Sequence, residues 1–403
     1  MIRFILLLKI LLPEKLNKAG ILKTIVILST EPWGKMFLSK MHYAKELARQ
    51  GNNVYFINPP RKIKSKGIAA LDFENKIPNL TIINTGIFIG DLFIRYKLFF
   101  LYKKISALYV RAIKKIVNKK IDEVWCFNPH VYVDLKNFKA NKAVIFLYDF
   151  YKSKNIFKTG ETADGIISIS QLILDYYSSI KKPKLLLQHG LRKHFSELAY
   201  EKIGMGNFKT QENTKVKIGY VGNLLRVGID LDVARNIISE HRDKEFHFWG
   251  PYSLQDNNLS PVAHNIPDDL KLFIIFLQNQ SHVVLHGVTE QQPLANQLFK
   301  MDLFLFLYSN TKDINGASNS HKIIEYLSTG KAVVSTYVSN YSATDLLVMA
   351  NHNQENQLPD LFSQVTKNLE FYNSKQKQQQ RMEFALNNTY SNQINRINDF
   401  IYN

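Results

Sequence analysis

The stretch "KTIVILSTEPWGKMFLSKMHYAKELARQGNNVYFINPP", residues 23–60, decides the fold. Its first part, "KTIVILST" (23–30), is a short apolar run rich in β-branched residues, as a strand buried on both faces requires. "KMHYAKELARQG" (40–51) has the spacing of a helix and stops at Gly51. "NVYFINPP" (53–60) is a second strand, closed by two prolines. Together they predict a βαβ unit, and a strand that returns parallel to its neighbour needs such a crossover.

Outward from that unit the same alternation continues through "LTIINTG", "DEVWCFNP", "KAVIFLYD", "GIISIS" and "KLLLQHG", with helical stretches between. It predicts a parallel sheet covered on both faces. The polar, glycine-containing segment "YEKIGMGNFKTQENTKVK" (200–217) interrupts the pattern, which restarts with "KIGYVGN", "FHFWGP", "HVVLHGV", "DLFLFLY" and "KAVVST". Helices are expected near 230–240, 268–279, 291–300 and 320–329, and from about 358 to the end. The chain is therefore read as α/β, with two doubly wound Rossmann-like domains in tandem. The expected boundaries are an apolar N-terminal extension at 1–22, a first domain at 23–199, a linker at 200–215, a second domain at 216–380 and a C-terminal helix at 381–403.

Composition agrees with two cores: 403 residues, 45% hydrophobic, exceed what one core usually holds. The single cysteine, Cys126, excludes a disulfide framework and a cysteine-built metal cluster, and favours the cytoplasm. The net charge of +18 is one-sided. Residues 1–200 hold 34 Lys and Arg against 14 Asp and Glu, while 201–403 hold 18 against 20. A basic field on one half suits an anionic membrane, nucleic acid or a phosphorylated substrate, although lysines spread over a solvated surface also serve solubility. The opening "MIRFILLLKILL" is too short to span a bilayer, Lys9 breaks its apolar run, and Pro13 follows. It fits an apolar helix lying in a membrane interface or packed on the first domain.

Ligands of doubly wound sheets sit at the carboxyl ends of the strands. A nicotinamide or flavin fails there, because "STEPWGKMF" offers one glycine where the dinucleotide turn needs three, and the second strand ends in "NPP" without an acidic residue. A P-loop is missing as well: Gly330 and Lys331 precede a strand instead of following one. The second domain is more informative. "KIGYVGN" ends near Gly222, and the following loop supplies Arg226. After "DLFLFLY", the stretch "SNSHKIIEYLSTGKAVVST" (318–336) opens a helix at Ser320 and His321. Helix-start amides with Arg226 and Lys322 form a candidate diphosphate site. Glu325, almost one turn beyond Lys322, could take the hydroxyls of a ribose. On spacing alone, Lys322 and Glu325 also fit an exposed ion pair worth a few tenths of a kcal/mol.

This stretch resembles the helix that carries the nucleotide-sugar donor in GT-B glycosyltransferases of family 4 (group 1), including teichuronic-acid-type transferases of cell-surface polysaccharide synthesis. Their pattern P-x-K-x-x-E-Y-L-A-x-G-x-P-V-V reads "SNSHKIIEYLSTGKAVV" here. "IGYVGNLLRVGIDLD", "FHFWGPYS", "VVLHGVTEQQPLANQLFKMDLFLFLY", the N-terminal βαβ unit and the final "NNTYSNQINRINDFI" are similar to further segments in the same order. The resemblance implies a GT-B fold with an interdomain cleft and a final helix crossing back to the first domain. It implies transfer of a sugar from a nucleoside-diphosphate sugar, with no cofactor and no metal. Lys322 and Arg226 would neutralise the diphosphate, Glu325 would bind the ribose, and Gly34 would let the backbone approach the donor. The chain departs from the pattern at Ala317, where retaining members carry a glutamate that contacts the transferred sugar, and at Ala332, where proline is common.

A GT-B enzyme places its acceptor on the N-terminal domain, here the basic half. An anionic or membrane-held glycan or lipid-linked acceptor follows, with the protein cytoplasmic and peripheral on the inner face of the membrane. Residues 92–117 are read as one amphipathic helix. Leu98, Leu101, Tyr102, Ile105, Tyr109, Ala112, Ile113 and Ile116 fall on one face, and Lys97, Lys103, Lys104, Arg111, Lys114 and Lys115 on the other. Phe99 and Phe100 stand among the cations, which marks Lys97, Phe99, Phe100, Lys103 and Lys104 as candidate membrane contacts. Asp149 is the candidate catalytic base or acceptor-positioning residue, and His189 is expected to be structural. The competing readings are a GT-B nucleotide-sugar epimerase and a non-catalytic basic polyanion-binding protein. Nucleic acid is not an expected partner, because the aromatics do not interleave along a basic strip.

Overall fold

The computed structural model describes residues 22–34, 37–61, 68–72, 77–86, 91–206, 208, 215–253, 266–309 and 319–403. The apolar extension, except Leu22, lies outside them, as does Ala317. The described residues form two compact units, one made of those from Leu22 to Gln188 with Tyr390–Asn403, the other of those from His189 to Thr389.

The first unit is built on an eight-stranded sheet of order β3-β4-β2-β1-β5-β6-β7-β8. Its strands are β1 (Thr24–Leu28), β2 (Asn53–Ile57), β3 (Ala69–Asp72), β4 (Leu80–Thr85), β5 (Glu123–Cys126), β6 (Lys142–Leu147), β7 (Gly165–Ser168) and β8 (Lys184–Leu186). All neighbours pair in parallel except β3, which runs antiparallel to β4. The alternation of strands and helices in the sequence predicts no such antiparallel edge. The expected βαβ unit is present as β1, α1 (Ser39–Arg49) and β2. In α1, Met41, Ala44 and Ala48 form one buried row and Lys40, Tyr43 and Leu47 the next, so the helix has a continuous inner face. Gly51, at φ +93°, ends it in the left-handed conformation that glycine takes without strain.

Next come α2 (Asp91–Lys97), α3 (Phe99–Val117), α4 (Lys154–Gly160) and α5 (Gln171–Tyr176). The amphipathic helix read over 92–117 is thus two helices that meet at Leu98. The buried row of α3 is Tyr102, Ser106, Tyr109, Val110, Ile113 and Val117. Leu98 and Leu101, assigned to the inner face by spacing, are 47% and 44% exposed.

The second unit opens with α6 (Lys193–Met205), where the sequence reading placed the start of a linker. Its six parallel strands have the order β11-β10-β9-β12-β13-β14. They are β9 (Lys217–Val221), β10 (Glu245–Trp249), β11 (Val283–Gly287), β12 (Leu303–Phe306), β13 (Ala332–Ser335) and β14 (Val348–Met349). The helices are α7 (Leu231–Glu240), α8 (Asp268–Gln278), α9 (Gln291–Leu298), α10 (His321–Ser328), α11 (Leu358–Lys367), α12 (Leu369–Tyr372) and α13 (Lys375–Leu386).

The units divide at Gln188/His189 and Thr389/Tyr390, not at 199/200 and 380/381. Packing explains the difference. Phe195 and Ala199 of α6 and Met382 and Ala385 of α13 are fully buried in the second core, and Arg381 Nη1 donates to the carbonyl oxygens of Gly330 and Tyr372 at 3.0 and 2.9 Å. Only α14 (Tyr390–Tyr402) returns to the first unit, where Tyr390 packs edge-on against Tyr43 at 4.9 Å. At its far end the Tyr402 hydroxyl donates to Glu123 Oε1 at 2.9 Å.

Candidate functional site

The carboxyl edge of the second sheet is stitched together by backbone. Gly222 N donates to Trp249 O and Gly250 N to Gly287 O, both at 2.8 Å, so the ends of β9, β10 and β11 close on one another. Gly250 has φ +130°, and a Cβ there would lie 1.9 Å from the Gly222 carbonyl oxygen. Only glycine fits that position. The loop after β9 is fastened to the end of β12 by Asp230 N to Leu307 O at 2.9 Å and Ser309 N to Gly228 O at 2.8 Å. Asp230 then caps α7 by accepting from Val233 N.

Those bonds bring Arg226 to Tyr308. The guanidinium lies 5.1 Å from the Tyr308 ring centroid, while Lys322, on the first turn of α10, donates from Nζ to the Tyr308 hydroxyl at 2.7 Å. Burial pushes this phenol up, but Lys322 and then Arg226 pull it further down, to below the usual tyrosine value. Its neighbour Tyr220 is pushed well above that value, first by burial and then by Tyr308 itself. Two cations therefore converge on one buried tyrosine at the mouth of the sheet, and Tyr308 was not among the residues singled out from sequence. Its position immediately after β12 is the signal that could have found it.

Helix α10 is held firmly. Ile323, Ile324 and Leu327 are buried, Tyr326 stacks on Phe304 at 4.4 Å, and its hydroxyl accepts from Val221 N at 2.7 Å. Ser320 occupies the cap position with extended backbone, and its side chain makes no capping hydrogen bond. His189, which precedes α6, is 8% exposed and faces the start of α10 edge-on, its ring centroid 5.9 Å from that of His321. Burial lowers its pKa to about 4, against a smaller opposing effect of a hydrogen bond with the Asn319 backbone, so it is neutral at pH 7.

Glu325 departs from the surface-pair reading. It is 1% exposed, and its Oε1 lies 2.6 Å from Arg192 Nε instead of facing Lys322. Its other oxygen, Oε2, has no hydrogen-bond partner. Arg192 had no signal in the sequence, because nothing in "QHGLRKHF" shows that the chain folds back onto α10.

The structure thus brings together Gly222, Arg226, Ser320, His321, Lys322 and Glu325 in the second unit. Asp149 and Gly34 lie in the first. Asp149 is exposed after β6, with the Tyr151 hydroxyl 3.4 Å from Oδ2. Gly34 is also exposed, and among the described residues a Cβ there would meet nothing closer than Pro32 O at 3.9 Å.

No family model matches the chain, and no curated protein matches it. Solved structures do. A trehalose-6-phosphate structure from E. coli bound with UDP-2-fluoro glucose aligns over 94% of this chain and 99% of its own, with TM-score 0.67 and 9% identity. The fold is GT-B. An α,α-trehalose 6-phosphate synthase from Burkholderia multivorans aligns with TM-score 0.64 and 10% identity over 94% of this chain and 96% of its own. A UDP-forming α,α-trehalose-phosphate synthase from Burkholderia xenovorans, in complex with glucose-6-phosphate, gives 0.63 and 12% over 94% and 99%. At such identities the likeness establishes the GT-B architecture alone.

Proposed function

We propose that the protein is a glycosyltransferase that takes a sugar from a nucleoside-diphosphate sugar. The observation that carries this is the convergence of Lys322 and Arg226 on Tyr308, beside the start of α10 at the carboxyl edge of the second sheet. Phosphate oxygens bound beside the phenol would meet two cations and helix-start amides, which stabilise the charge that builds on a departing diphosphate. Glu325 is the ribose-binding candidate, and Asp149 the acceptor-positioning group or base. The solved relative bound with UDP-2-fluoro glucose supports a uridine nucleotide as the first donor to try.

For the acceptor, the reading is a membrane-held or anionic glycan or lipid in cell-surface polysaccharide synthesis, with the protein peripheral on the inner face of the membrane. Its support is the exposed aromatic and basic surface of α2 and α3 and the charge surplus of residues 1–200. Among the described residues no helix is long and apolar enough to cross a membrane. A second acceptor class is a soluble sugar phosphate, favoured by the glucose-6-phosphate complex of the Burkholderia xenovorans relative.

The test is thermal stabilisation and nucleoside-diphosphate release with a panel of nucleotide sugars, alongside Lys322→Ala. Glucose-6-phosphate and acceptor-bearing anionic vesicles are offered in parallel. Stabilisation by UDP or GDP that Lys322→Ala removes supports the donor site, and the acceptor that accelerates release decides between the two classes. Absence of binding to every nucleotide, with salt-sensitive binding to polyanions, would overturn the reading.

A further inference from the structure

Among the described residues two glutamates are buried to 1% exposure, and they are satisfied differently. Glu123, in the first unit, has both oxygens engaged: Oε1 accepts from Lys23 Nζ at 2.6 Å and the Tyr402 hydroxyl at 2.9 Å, and Oε2 accepts from Trp125 Nε1 at 2.8 Å. That is a completed structural carboxylate. Glu325, in the second unit, has Oε1 beside Arg192 Nε at 2.6 Å and Oε2 without a partner. Leaving a buried carboxylate oxygen unsatisfied is costly, and such vacancies in native proteins mark places where a ligand or an ordered water belongs.

Arg192 is packed in place, and its contact with Glu325 is an ion pair, since Nε makes no hydrogen bond of ordinary geometry. It is the cap residue of α6 with extended backbone, its side chain is 14% exposed, and its guanidinium lies 5.0 Å from the Phe195 ring centroid. Farther along the same helix, Lys202 Nζ donates to Thr329 O at 2.9 Å, so α6 grips α10 at its middle and at its carboxyl end. On α10, Lys322 belongs to Tyr308 and Glu325 to Arg192, and the two charges that spacing would have paired serve separate partners.

We propose that Arg192 is a positioning residue of the nucleotide site, holding the Glu325 carboxylate by Oε1 so that Oε2 is turned to accept from one ribose hydroxyl of the donor. The inference rests on the donor-site reading above and deepens it. An unanchored glutamate can swing and take either or both hydroxyls, whereas an anchored one selects the hydroxyl that reaches Oε2. Its orientation is also fixed before the ligand arrives, which lowers the ordering cost of binding. The guanidinium supplies the charge without which a buried carboxylate would be poorly tolerated.

The experiment is calorimetric titration of UDP, 2′-deoxy-UDP, 3′-deoxy-UDP and inorganic pyrophosphate into the wild-type protein and into Arg192→Lys, Arg192→Met, Glu325→Gln and Lys322→Ala. GDP and its deoxy analogues replace the uridine series if GDP is the nucleotide that binds. The wild type is expected to bind one deoxy analogue about 10-fold or more weakly than the parent and the other almost equally, as loss of one hydrogen bond to a charged acceptor requires. Arg192→Met should erase that discrimination and lower parent affinity to that of the weaker analogue, with Arg192→Lys in between. Pyrophosphate binding, which reports Lys322 and Arg226, should be unchanged in the Arg192 variants and so show that the unit is folded. If Arg192→Met melts earlier yet keeps full discrimination, while Lys322→Ala abolishes nucleotide binding, the positioning role is overturned and the donor site stands. If the wild type binds no nucleoside diphosphate, both fall together.

Discussion

The residues that explain the site are those whose partners lie far away in sequence. The Lys322 and Glu325 spacing was compatible with an exposed ion pair, and only burial and partner geometry separate that reading from a binding site. With Tyr308 between two cations, the expected effect of Tyr308→Phe is specific. The phenylalanine keeps the ring, with its edge-on contact to Phe306, but removes the oxygen that orients Lys322 Nζ. Diphosphate affinity should fall by about 3- to 10-fold with little change in stability, against a loss of 100-fold or so for Lys322→Ala, as the loss of one hydrogen bond compares with the loss of a charge in a phosphate site. Titration of UDP into both variants checks this. Gly250 makes a different kind of residue-scale claim. At φ +130° with a backbone oxygen 1.9 Å from any Cβ, Gly250→Ala must displace the ends of β9 and β10. It should cost at least about 2 kcal/mol in denaturant unfolding, more than an ordinary surface substitution. The sequence showed the glycine of "FHFWGP" but not its necessity, since a positive φ and the approach of a neighbouring loop are tertiary facts.

At the scale of elements, most strands and helices were legible because their apolar runs have lengths and periods that admit one solution. The antiparallel β3 escaped because "AALD" is short and has no strong period. The break at Leu98 escaped because amphipathic periodicity runs through it almost undisturbed. Its consequence is an exposed apolar surface: the junction of α2 and α3 exposes Phe93, Phe100, Leu98 and Leu101, with Phe100 at 77%. Lys97 and Lys104 are exposed among them, with Lys104 Nζ 5.6 Å from the Phe100 ring centroid. Lys103 is partly spoken for, since its Nζ lies 3.0 Å from Asp134 Oδ2. Aromatics ringed by cations suit the interface of an anionic bilayer, at about 1 kcal/mol per basic residue near the surface. Flotation with phosphatidylglycerol vesicles should therefore drop about 10-fold or more for Lys97→Glu with Lys104→Glu, and also for Phe100→Ser at unchanged charge, given that contribution per residue. Equal flotation of all three proteins would remove α2 and α3 from the membrane reading.

For the whole molecule, two α/β units could be read from alternation, but their borders could not, because α6 and α13 are assigned by the core they complete and not by any mark in the chain. The same packing buries bases in the second unit, which makes stability depend on pH in a predictable direction. His189 falls from an ordinary value of 6.5 to about 4. Lys202 falls from 10.5 to about 7, through burial first and then the nearby Lys331, and Lys331 is itself lowered by burial. In each case the unfolded chain binds the proton more tightly, so wherever pH lies between the folded and unfolded values, stability rises with pH. Acidification from 6.5 towards 4 should therefore weaken the second unit through His189, and alkalinisation from 7 towards 10.5 should strengthen it through Lys202. Buried tyrosines oppose the trend above their ordinary value of 10, because Tyr220 and Tyr341 are raised by burial and hold their protons in the fold. The melting temperature should thus climb from pH 7 to a maximum near about 9–10 and decline beyond it. Thermal melts across that range check the sign, and Lys202→Met, which removes the strongest of the titrating bases, should flatten the rise. A melting temperature that falls steadily from pH 7 to 9 in the wild type would show that Lys202 keeps its proton in the folded state, with its contact to Thr329 O strong enough to offset burial.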